Sequence, residues 1–556
     1  MSSSPEDPAR LPRGVEWVAL GLVAVAVLVH GLRPIIDLDL WWHMRLGELL
    51  LAGEPDTSVE PFSHTHAGAP WGWKDWGSAV LFHGLWRLGG PAAIIGFKAL
   101  AFGGVAALLW QLLRVERRIP AALALLMCAV TLGAAEFRFT ERASSISLVV
   151  LLATLVLIER DRRGAAGLGW VIPLTILNAN LHRAALLLPV VVGAYAAACW
   201  LEARMGRDRD WRRPALVAVG TGLGCLVTPY GIAIVTTTVA LMGQHSPLIT
   251  EWAPVSVALI EALTPMSFAA IGLGGIGAAL GQWKRRPWEP WDLTLVAMAF
   301  GLGLGSMRHL PVLAVLVVGP AAGGLAVLGR AWTGRLRGLI ALAAAAVLLA
   351  YTFTRPIALP GSALAPAHFP ERGLAFVRSL PDQLRPRGAL FNEFGYGGFL
   401  IFHLWPRHRV FIDGRTDLVY PASFVERYIE CLRDPQALMR EADERDLQWA
   451  LLDNVPHDRG RLHFDLNPAW TLVHASRRSL VYVRTQGANA ALARAHGYRL
   501  LHAHDLPGSV QAAAARGHGD AALAELRRMA EDDPDNPYPL VLLAQLAAAA
   551  NGSAPP

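Results

Sequence analysis

Two aspartates, Asp37 and Asp39, lie directly before an apolar, tryptophan-rich segment that is predicted to be helical. A carboxylate can act as a general base, and partial desolvation raises its pKa toward a value that suits proton transfer. An aspartate at this position can instead accept backbone hydrogen bonds as the N-cap of the helix. Because one N-cap explains only one of the two residues, both remain candidates for chemistry.

Other candidate side chains lie in separate loops that the predicted topology places at one side of a membrane. They are Glu136, Arg138, Glu141 and Arg142; Asn178, Asn180, His182 and Arg183; Tyr230, His245, Glu251 and Trp252; and Arg308 and His309. The first loop, residues 35–90, adds Trp41, Trp42, His43, Arg45, His64, His66, Trp71, Trp73, Lys74, Asp75 and Trp76. An ionisable group at membrane depth costs roughly 2.5–3.5 kcal/mol, so this concentration indicates a polar cavity.

Several of these residues also have simpler explanations. The tryptophans can form an aromatic belt at the lipid headgroups. Arg138, Arg142 and Arg308 can extend toward lipid phosphates while their stems lie in apolar surroundings. His64 and His66 can be ordinary loop residues rather than metal ligands.

The composition of the whole chain explains why loops and apolar segments alternate. Of 556 residues, 53% are hydrophobic and only 17% are charged, and the mean hydropathy is +0.36. These values exclude a soluble enzyme, a disordered chain and a fibrous repeat, and they indicate a polytopic membrane protein. Three of the four cysteines fall inside apolar segments, so no disulfide framework is predicted.

A membrane-spanning helix needs about 20 apolar residues. Eleven segments of suitable composition are predicted to span: 15–34, 91–113, 119–137, 143–159, 166–181, 184–203, 214–236, 257–282, 289–306, 309–329 and 335–354. The segment 75–88 is short and contains Asp75, His83 and Arg87. It is therefore predicted to be an interfacial or re-entrant helix rather than a twelfth span.

The positive charges of the chain predict its orientation. The net charge of +6 comes largely from arginines in alternate loops. This pattern indicates that those loops lie on the cytoplasmic side of the membrane, rather than that the protein binds nucleic acid. These basic positions are Arg10, Arg13, Arg114, Arg117, Arg118, Arg160, Arg162, Arg163, Arg204, Arg207, Arg209, Arg212, Arg213, Lys284, Arg285, Arg286, Arg330, Arg335 and Arg337. A multi-pass protein of the bacterial inner membrane is expected, with a cytoplasmic N-terminus, an uncleaved first span and an extracytoplasmic region after residue 354.

The segment DLWWHMRLGELLLAG, residues 39–53, resembles the start of the first external loop in oligosaccharyltransferase catalytic subunits. Asp39, Trp41, Trp42 and Arg45 fit that pattern, whereas Leu40, His43 and Met44 depart from it. The following DTSVEPFSHTHAGAPWGWKDW, residues 56–76, is similar to the rest of this loop in bacterial relatives of the glycosyltransferase-C superfamily. That superfamily combines many spans and a long first outer loop with a catalytic acid, often followed by an external C-terminal domain.

The resemblance implies transfer of a sugar from a polyprenyl-phosphate-linked donor to a glycan, lipid or protein acceptor. Asp39 would be the catalytic or metal-binding acid, with Asp37 as the alternative. The departing lipid phosphate needs positive charge, and the predicted topology places Arg138, Arg142, Arg183 and Arg308 for that role. Substrate contacts are expected at Trp42, His43, His182 and Glu251. A divalent cation, Mg or Mn, would bind Asp39 and Glu136, although the second loop offers only Glu136 and Glu141 where the relatives carry an acidic motif.

The domain organisation changes after the last predicted span. Residues 1–354 are predicted to form the membrane domain, 355–370 a proline-rich linker, 371–487 an extracytoplasmic α/β domain, and 488–556 a helical tail. Predicted strands lie in 388–394, 408–419 and 449–454 and in a hairpin at 470–485, with a short helix or strand in 395–404 and helices in 421–447. In the tail, residues 517–547 resemble one tetratricopeptide helix pair, which could cap the domain or dock a partner.

NEFGYGG, residues 392–398, and DGRTD, residues 413–417, loosely resemble the acceptor-reading motif of oligosaccharyltransferase external domains. Turn chemistry explains the same residues, because glycine supplies positive φ and aspartate caps turns. The candidates for acceptor contacts are Glu393, Tyr396, Asp413 and Arg415.

Three functions remain open from the sequence. The first is a membrane glycosyltransferase; the second is a non-enzymatic scaffold or assembly subunit for cell-surface polysaccharide or glycoprotein; the third is a transporter, for which no pair of inverted, broken spans is evident. Motifs of ATPases, zinc proteases, serine hydrolases and zinc ribbons are absent from the sequence.

Overall fold

The computed structural model describes residues 11–54, 58–71, 75–136, 138–241, 248–255, 265–284, 289–329, 332–354, 363–365, 368–455 and 458–550. The chain divides into two compact units. Unit one comprises Met1–Gly53 and Gly72–Ala365, and unit two comprises Glu54–Trp71 and Pro366–Pro556. His245 and most of the predicted linker lie outside the described residues.

Unit one consists of helices joined by short turns. Its helices are α1 (Arg13–Gly31), α2 (Leu40–Ala52), α3 (Trp76–Trp110), α4 (Ala121–Glu136), α5 (Ala143–Arg162), α6 (Val171–Leu181), α7 (Leu187–Arg204), α8 (Arg212–Gly224), α9 (Ala233–Leu241), α10 (Pro265–Lys284), α11 (Pro290–Gly305), α12 (Leu310–Gly329) and α13 (Gly334–Phe353). Single 3₁₀ turns at Arg183–Leu186, Thr250–Trp252 and Met307–His309 carry polar residues of the candidate site.

Six helical segments of the described chain are long and apolar enough to cross a membrane. They are Arg13–Gly31, Trp76–Glu116, Ala143–Arg162, Arg183–Arg204, Met307–Gly329 and Gly334–Phe353. Ala121–Glu136, Leu168–Leu181 and Pro290–Gly305 are apolar but shorter. The membrane-protein character agrees with the sequence, and the count of eleven spans stays a prediction.

Helix α3 joins two elements that the sequence analysis kept separate. The backbone leaves helical geometry at Gly89 and Gly90, so α3 consists of two helical arms that correspond to the predicted segments 75–88 and 91–113, and the interfacial position of the first arm stays a prediction. Gly90 at the kink has φ +56° and ψ −142°, a backbone conformation open in practice only to glycine, and Pro91 follows it without an amide donor. The kink therefore separates the two arms of α3.

The core of unit one uses glycine for close helix packing. A Cβ atom on Gly324 of α12 would lie 1.7 Å from the carbonyl oxygen of Gly277 of α10. A Cβ atom on Gly277 would lie 2.6 Å from the carbonyl oxygen of Ala321. The two backbones touch only because both positions lack side chains, which is the packing that small residues permit in membrane helices.

Unit two is an α/β structure with a helical tail. Its elements are α14 (Glu371–Ser379), β1 (Ala389–Asn392), α15 (Gly397–Leu404), α16 (Thr416–Val419), α17 (Ala422–Cys431), α18 (Pro435–Glu444), β2 (Leu447–Leu452), α19 (Leu462–Leu466), β3 (Trp470–Ala475), β4 (Leu480–Arg484), α20 (Ala490–His496), α21 (Leu506–Ala515), α22 (Gly519–Asp532) and α23 (Pro537–Ala550). The sheet order is β1-β2-β4-β3, with β1 and β2 parallel and the other pairs antiparallel.

Most predicted elements of unit two are present. Strands β1 and β2 and the β3–β4 hairpin occur where alternation of apolar residues predicts them, and α17 and α18 fill 421–447. The predicted strand in 408–419 is wrong. Only Val410 pairs there, through an isolated bridge to Ser63, and the segment ends in the short helix α16.

Residues 58–71 of the predicted first outer loop belong to unit two and not to the membrane domain. Val59 pairs with Pro70, and the ring of Trp71 lies 4.7 Å from the guanidinium carbon of Arg415. Glu60 forms an ion pair with the same guanidinium at 2.8 Å. Trp71 is therefore buried, at 2% exposure, and does not join an aromatic belt.

Candidate active site

The loop between α1 and α2 gives its two aspartates different surroundings. The N-cap position of α2 is Asp39, but the side chain that satisfies the first backbone donors is that of Asp37, whose Oδ1 accepts the N–H groups of Asp39 at 2.8 Å and Leu40 at 3.2 Å. Its side chain is 1% exposed, whereas that of Asp39 is 27% exposed. Capping of α2 therefore explains the carboxylate of Asp37, whereas the carboxylate of Asp39 makes no capping hydrogen bond and is available for other contacts.

One guanidinium connects these aspartates to a third acid. Arg142 forms an ion pair with Asp37 through Nε, with Asp39 through Nη2 at 3.0 Å, and with Glu251 through Nη1 at 3.6 Å. Arg138 forms a second ion pair with Glu251. We call these five residues the carboxylate–arginine cluster. Its members come from three separate segments of the chain, which tertiary packing brings together.

The electrostatic balance of the cluster differs between its members. Burial raises the pKa of Asp39 above its ordinary value, against the opposing charge of Arg142 and with the help of Asp37. Burial and the charges of Arg142 and Arg308 lower the pKa of Arg138 to about 9. Arg138 thus lies where positive charge is concentrated, and an anion bound there would be stabilised. Arg308 also faces the ring of Trp252 at 5.4 Å.

A second polar group lies one helical turn further along α2. Nδ1 of His43 lies 2.8 Å from the carbonyl oxygen of Asp39, and its Nε2 lies 3.5 Å from a carboxylate oxygen of Asp75. Burial acts to raise the pKa of Asp75, but the contact with His43 and the positive charge of Arg183 outweigh it, and the pKa is lowered. Asp75 was among the polar residues expected in the first outer loop, but no motif predicted its contact with His43.

His182 is a neutral member of this second group. Burial and the charges of Arg183 and Arg308 lower the pKa of His182 to about 4, against the opposing effect of Asp75. Its Nδ1 accepts the backbone N–H of residue 184 at 3.3 Å and lies 3.0 Å from Oγ of Ser147. The imidazole therefore serves as a hydrogen-bonding group rather than as a cation.

Solved structures share this arrangement of helices and a following domain. Archaeal oligosaccharyltransferase AglB from Archaeoglobus fulgidus, in complex with an inhibitory peptide and a dolichol-phosphate, matches with TM-score 0.55 and 13% identity over 79% of this chain and 69% of that chain. ArnT from Cupriavidus metallidurans matches with TM-score 0.50 and 14% identity over 86% of this chain and 99% of that chain. The chain has the glycosyltransferase-C fold.

A third structure, the arabinofuranosyltransferase AftD from Mycobacteria, matches with TM-score 0.53 and 12% identity over 87% of this chain and 41% of that chain. No protein-family model matches the sequence, and no curated protein matches it. At these identities the likeness concerns the fold, and it confirms the resemblance that the first-loop sequence predicted.

The cation that the glycosyltransferase-C resemblance implies does not fit the donor set. Mg and Mn favour several oxygen ligands in regular geometry. Here the guanidinium of Arg142 already lies against Asp37 and Asp39, and Glu136 is instead paired with Arg33. Among the residues described, no three His, Cys, Asp or Glu side chains are grouped so that they could hold a metal ion.

Trp42 and Glu141 support the cluster from its edges. The indole Nε1 of Trp42 donates to Oδ1 of Asp39 at 3.2 Å. Glu141 is fully buried, forms an ion pair with Lys98, and accepts the backbone N–H of Asp37 at 3.3 Å. Neither residue was predicted in this role, and both fix the loop that carries the two aspartates.

In unit two, Asp413 and Arg415 are structural rather than exposed acceptor contacts. Nε of Arg415 donates to Asp413 at 2.7 Å, and Glu60 completes the pair. All three side chains are 0% exposed, so an acceptor has no surface to contact there. Tyr420 also donates to Asp413, at 2.7 Å.

Glu393 and Tyr396 are also committed to contacts within unit two. The carboxylate of Glu393 accepts from Arg461 and from the backbone N–H of Asp453, which follows β2. The hydroxyl of Tyr396 donates to the Asp453 carboxylate at 2.7 Å. These contacts join the ends of β1 and β2, and they favour the turn-chemistry interpretation of the NEFGYGG motif.

Proposed function

We propose that this chain is a membrane glycosyltransferase that moves a sugar from a polyprenyl-phosphate-linked donor to an acceptor outside the cytoplasm. The observation that carries the proposal is the carboxylate–arginine cluster, where a partly exposed carboxylate lies beside closely spaced guanidinium groups. The relatives support the same kind of reaction, since AglB was solved with a dolichol-phosphate and AftD is an arabinofuranosyltransferase.

Asp39 is the proposed general base. It accepts the proton of the acceptor hydroxyl or amide while the acceptor atom bonds to the anomeric carbon and the bond from that carbon to the phosphate oxygen breaks. The polyprenyl phosphate leaves with the bonding electron pair. The raised pKa of Asp39 makes this carboxylate a stronger base than an exposed aspartate, and proton transfer near neutral pH is favoured as a result.

The leaving phosphate requires positive charge rather than a proton donor. Arginine binds phosphate through parallel N–H groups and keeps its charge. Arg138, Arg183 and Arg308 are proposed for this role, since all three carry their charges into the same polar region. Preorganised donors of this kind contribute roughly 3–4 kcal/mol each in measured acyl-transfer reactions.

The placement of the site on α5 supports its proposed orientation. Arg142 precedes the first residue of α5, and Arg162 is its last. Twenty helical residues span about 30 Å, so the cluster and the arginine-rich loops lie at opposite ends of one span. Because arginine-rich loops face the cytoplasm, the cluster is proposed to face outward, in a bacterial inner membrane.

The test uses the full-length protein in proteoliposomes with radiolabelled undecaprenyl-phosphate hexose or pentose, and membranes of the source organism as acceptor. Asp39→Asn should lower the transfer of label by roughly 10²–10⁴-fold, the usual contribution of a positioned base. Glu48→Gln is the matched control, because Glu48 lies on the same helix, is 45% exposed and pairs only with Arg45 among the contacts described. Its transfer should equal that of the wild type.

Two results would contradict the proposal. If Asp39→Asn transfers label as fast as the wild type, Asp39 is not the base. If the wild type transfers neither sugar while the relatives do so in the same assay, the scaffold function is favoured instead.

A further inference from the structure

The arrangement around Arg142 is unusual because each of its three guanidinium nitrogens lies near a different carboxylate. Nε faces Asp37, Nη2 faces Asp39 at 3.0 Å, and Nη1 faces Glu251 at 3.6 Å. A bridging divalent cation makes the same kind of contacts, with one positive centre joining acids from separate segments.

The charge count of the cluster leaves little need for a metal. Asp37, Asp39 and Glu251 contribute three negative charges, while Arg142 and Arg138 contribute two positive charges. Asp37 and Asp39 hold the pKa of Arg142 above its ordinary value, so the guanidinium keeps its charge despite burial. A dication placed among these carboxylates would have to displace this permanent charge or lie against it.

The carboxylates are also oriented for the guanidinium. Oδ1 of Asp37 accepts the two amides at the start of α2, and its Oδ2 accepts from Thr140 at 2.8 Å and forms the ion pair with Arg142. Oδ1 of Asp39 accepts from Trp42. Few oxygen lone pairs are left to form the regular ligand sphere that Mg or Mn requires.

We infer that Arg142 takes the place of the divalent cation, and that sugar transfer at this site is independent of metal. Arg142 is then a positioning residue that holds Asp37 and Asp39 against Glu251. The inference deepens the proposed function, on which its meaning for transfer rests, but metal binding itself can be measured without any sugar.

The experiment measures Mn²⁺ binding to the full-length protein in phosphatidylcholine nanodiscs, through the loss of the free-ion electron paramagnetic resonance signal. Wild type should remove no more Mn²⁺ than empty discs. Arg142→Ala leaves Asp37 and Asp39 without the cation that lies between them, while Glu251 keeps its ion pair with Arg138, and the variant should bind Mn²⁺ at least about tenfold more tightly than wild type. Arg142→Lys keeps a cation in place and should behave as the wild type does.

Arg33→Ala is the matched control. It also removes a partly buried arginine, but it frees the single carboxylate of Glu136 and should create no Mn²⁺ site. Adding Asp39→Asn to Arg142→Ala should abolish the new binding. Arg33→Ala and the double variant together show whether Mn²⁺ binds at the cluster itself or whether binding is a general effect of removing positive charge.

A wild type that binds one Mn²⁺ per chain overturns the inference, and so does a folded Arg142→Ala variant that binds none. If Arg142→Ala does not fold, the inference is tested by the Mn²⁺ titration of the wild type and by chelation. A fall in sugar transfer of more than about tenfold in excess EDTA also overturns the inference. A protein with the expected Mn²⁺ behaviour and no sugar transfer would contradict only the proposed function.

Discussion

Removing the cap of α2 should destabilise the protein in two separable steps. Asp37→Asn keeps an oxygen for the amides of Asp39 and Leu40 but gives up the charged contact with Arg142. Losing a hydrogen bond to a charged group costs roughly 1.5–3 kcal/mol, and Arg142 is not left uncompensated because Asp39 and Glu251 remain.

Asp37→Ala loses the charged contact and the cap together. Cap removal adds roughly 0.5–2 kcal/mol. The variant also leaves the hydroxyl of Thr140 without its acceptor. Asp37→Ser restores a capping oxygen without a charge, so its stability should resemble that of Asp37→Asn rather than that of Asp37→Ala.

The assay follows from the four cysteines of the chain, all of which are free and buried. A thiol-reactive fluorogenic dye therefore reports unfolding in detergent, both on heating and on titration with a denaturing detergent. Equal free energies of unfolding for Asp37→Asn and Asp37→Ala would refute the capping argument. A wild-type free energy for Asp37→Asn would refute the buried ion pair.

Two further predictions concern other parts of the chain. Burial raises the pKa of Asp39, and a general base must be deprotonated to act. As the pH is lowered, sugar transfer should therefore be lost at a higher pH than it would be with an exposed aspartate as the base. A kcat/KM that stays constant through this loss region would contradict the role of Asp39. Arg415→Met leaves Asp413 and Glu60 buried without a cation and should destabilise the protein by roughly 3–5 kcal/mol in the dye assay. Arg372→Met removes an arginine from a half-exposed ion pair and should change the stability little. Equal losses of stability in the two variants would contradict the importance of the buried triad of Arg415, Asp413 and Glu60.

The sequence predicted the features that depend on local patterns. Apolar segments of span length, the alternation of arginine-rich loops, and the period-two pattern of 470–485 each require only neighbours along the chain. The first-loop motif at Asp39 predicted the fold that the comparisons confirm. The predicted topology also placed Asp39, Arg142 and Glu251 among the candidates, because ionisable groups at membrane depth are costly.

The partners of those residues could not be predicted from spacing. Arg142 was expected to bind phosphate, and whether it contacts carboxylates instead depends on where the turn at Glu251 lies after folding. In the same way, Asp413 and Arg415 carry a turn-like pattern, yet residues 58–71, more than 340 positions away, supply the Glu60 that completes their buried triad.

The sequence by itself therefore determined a membrane chain with the glycosyltransferase-C plan and a small set of acids and arginines. Tertiary structure decided which acid caps the start of α2, which carboxylate stays partly exposed, and which guanidinium contacts three acids. The physical reason is that burial and charge pairing depend on distances between segments far apart in the chain, and a side chain's role changes when its neighbours do.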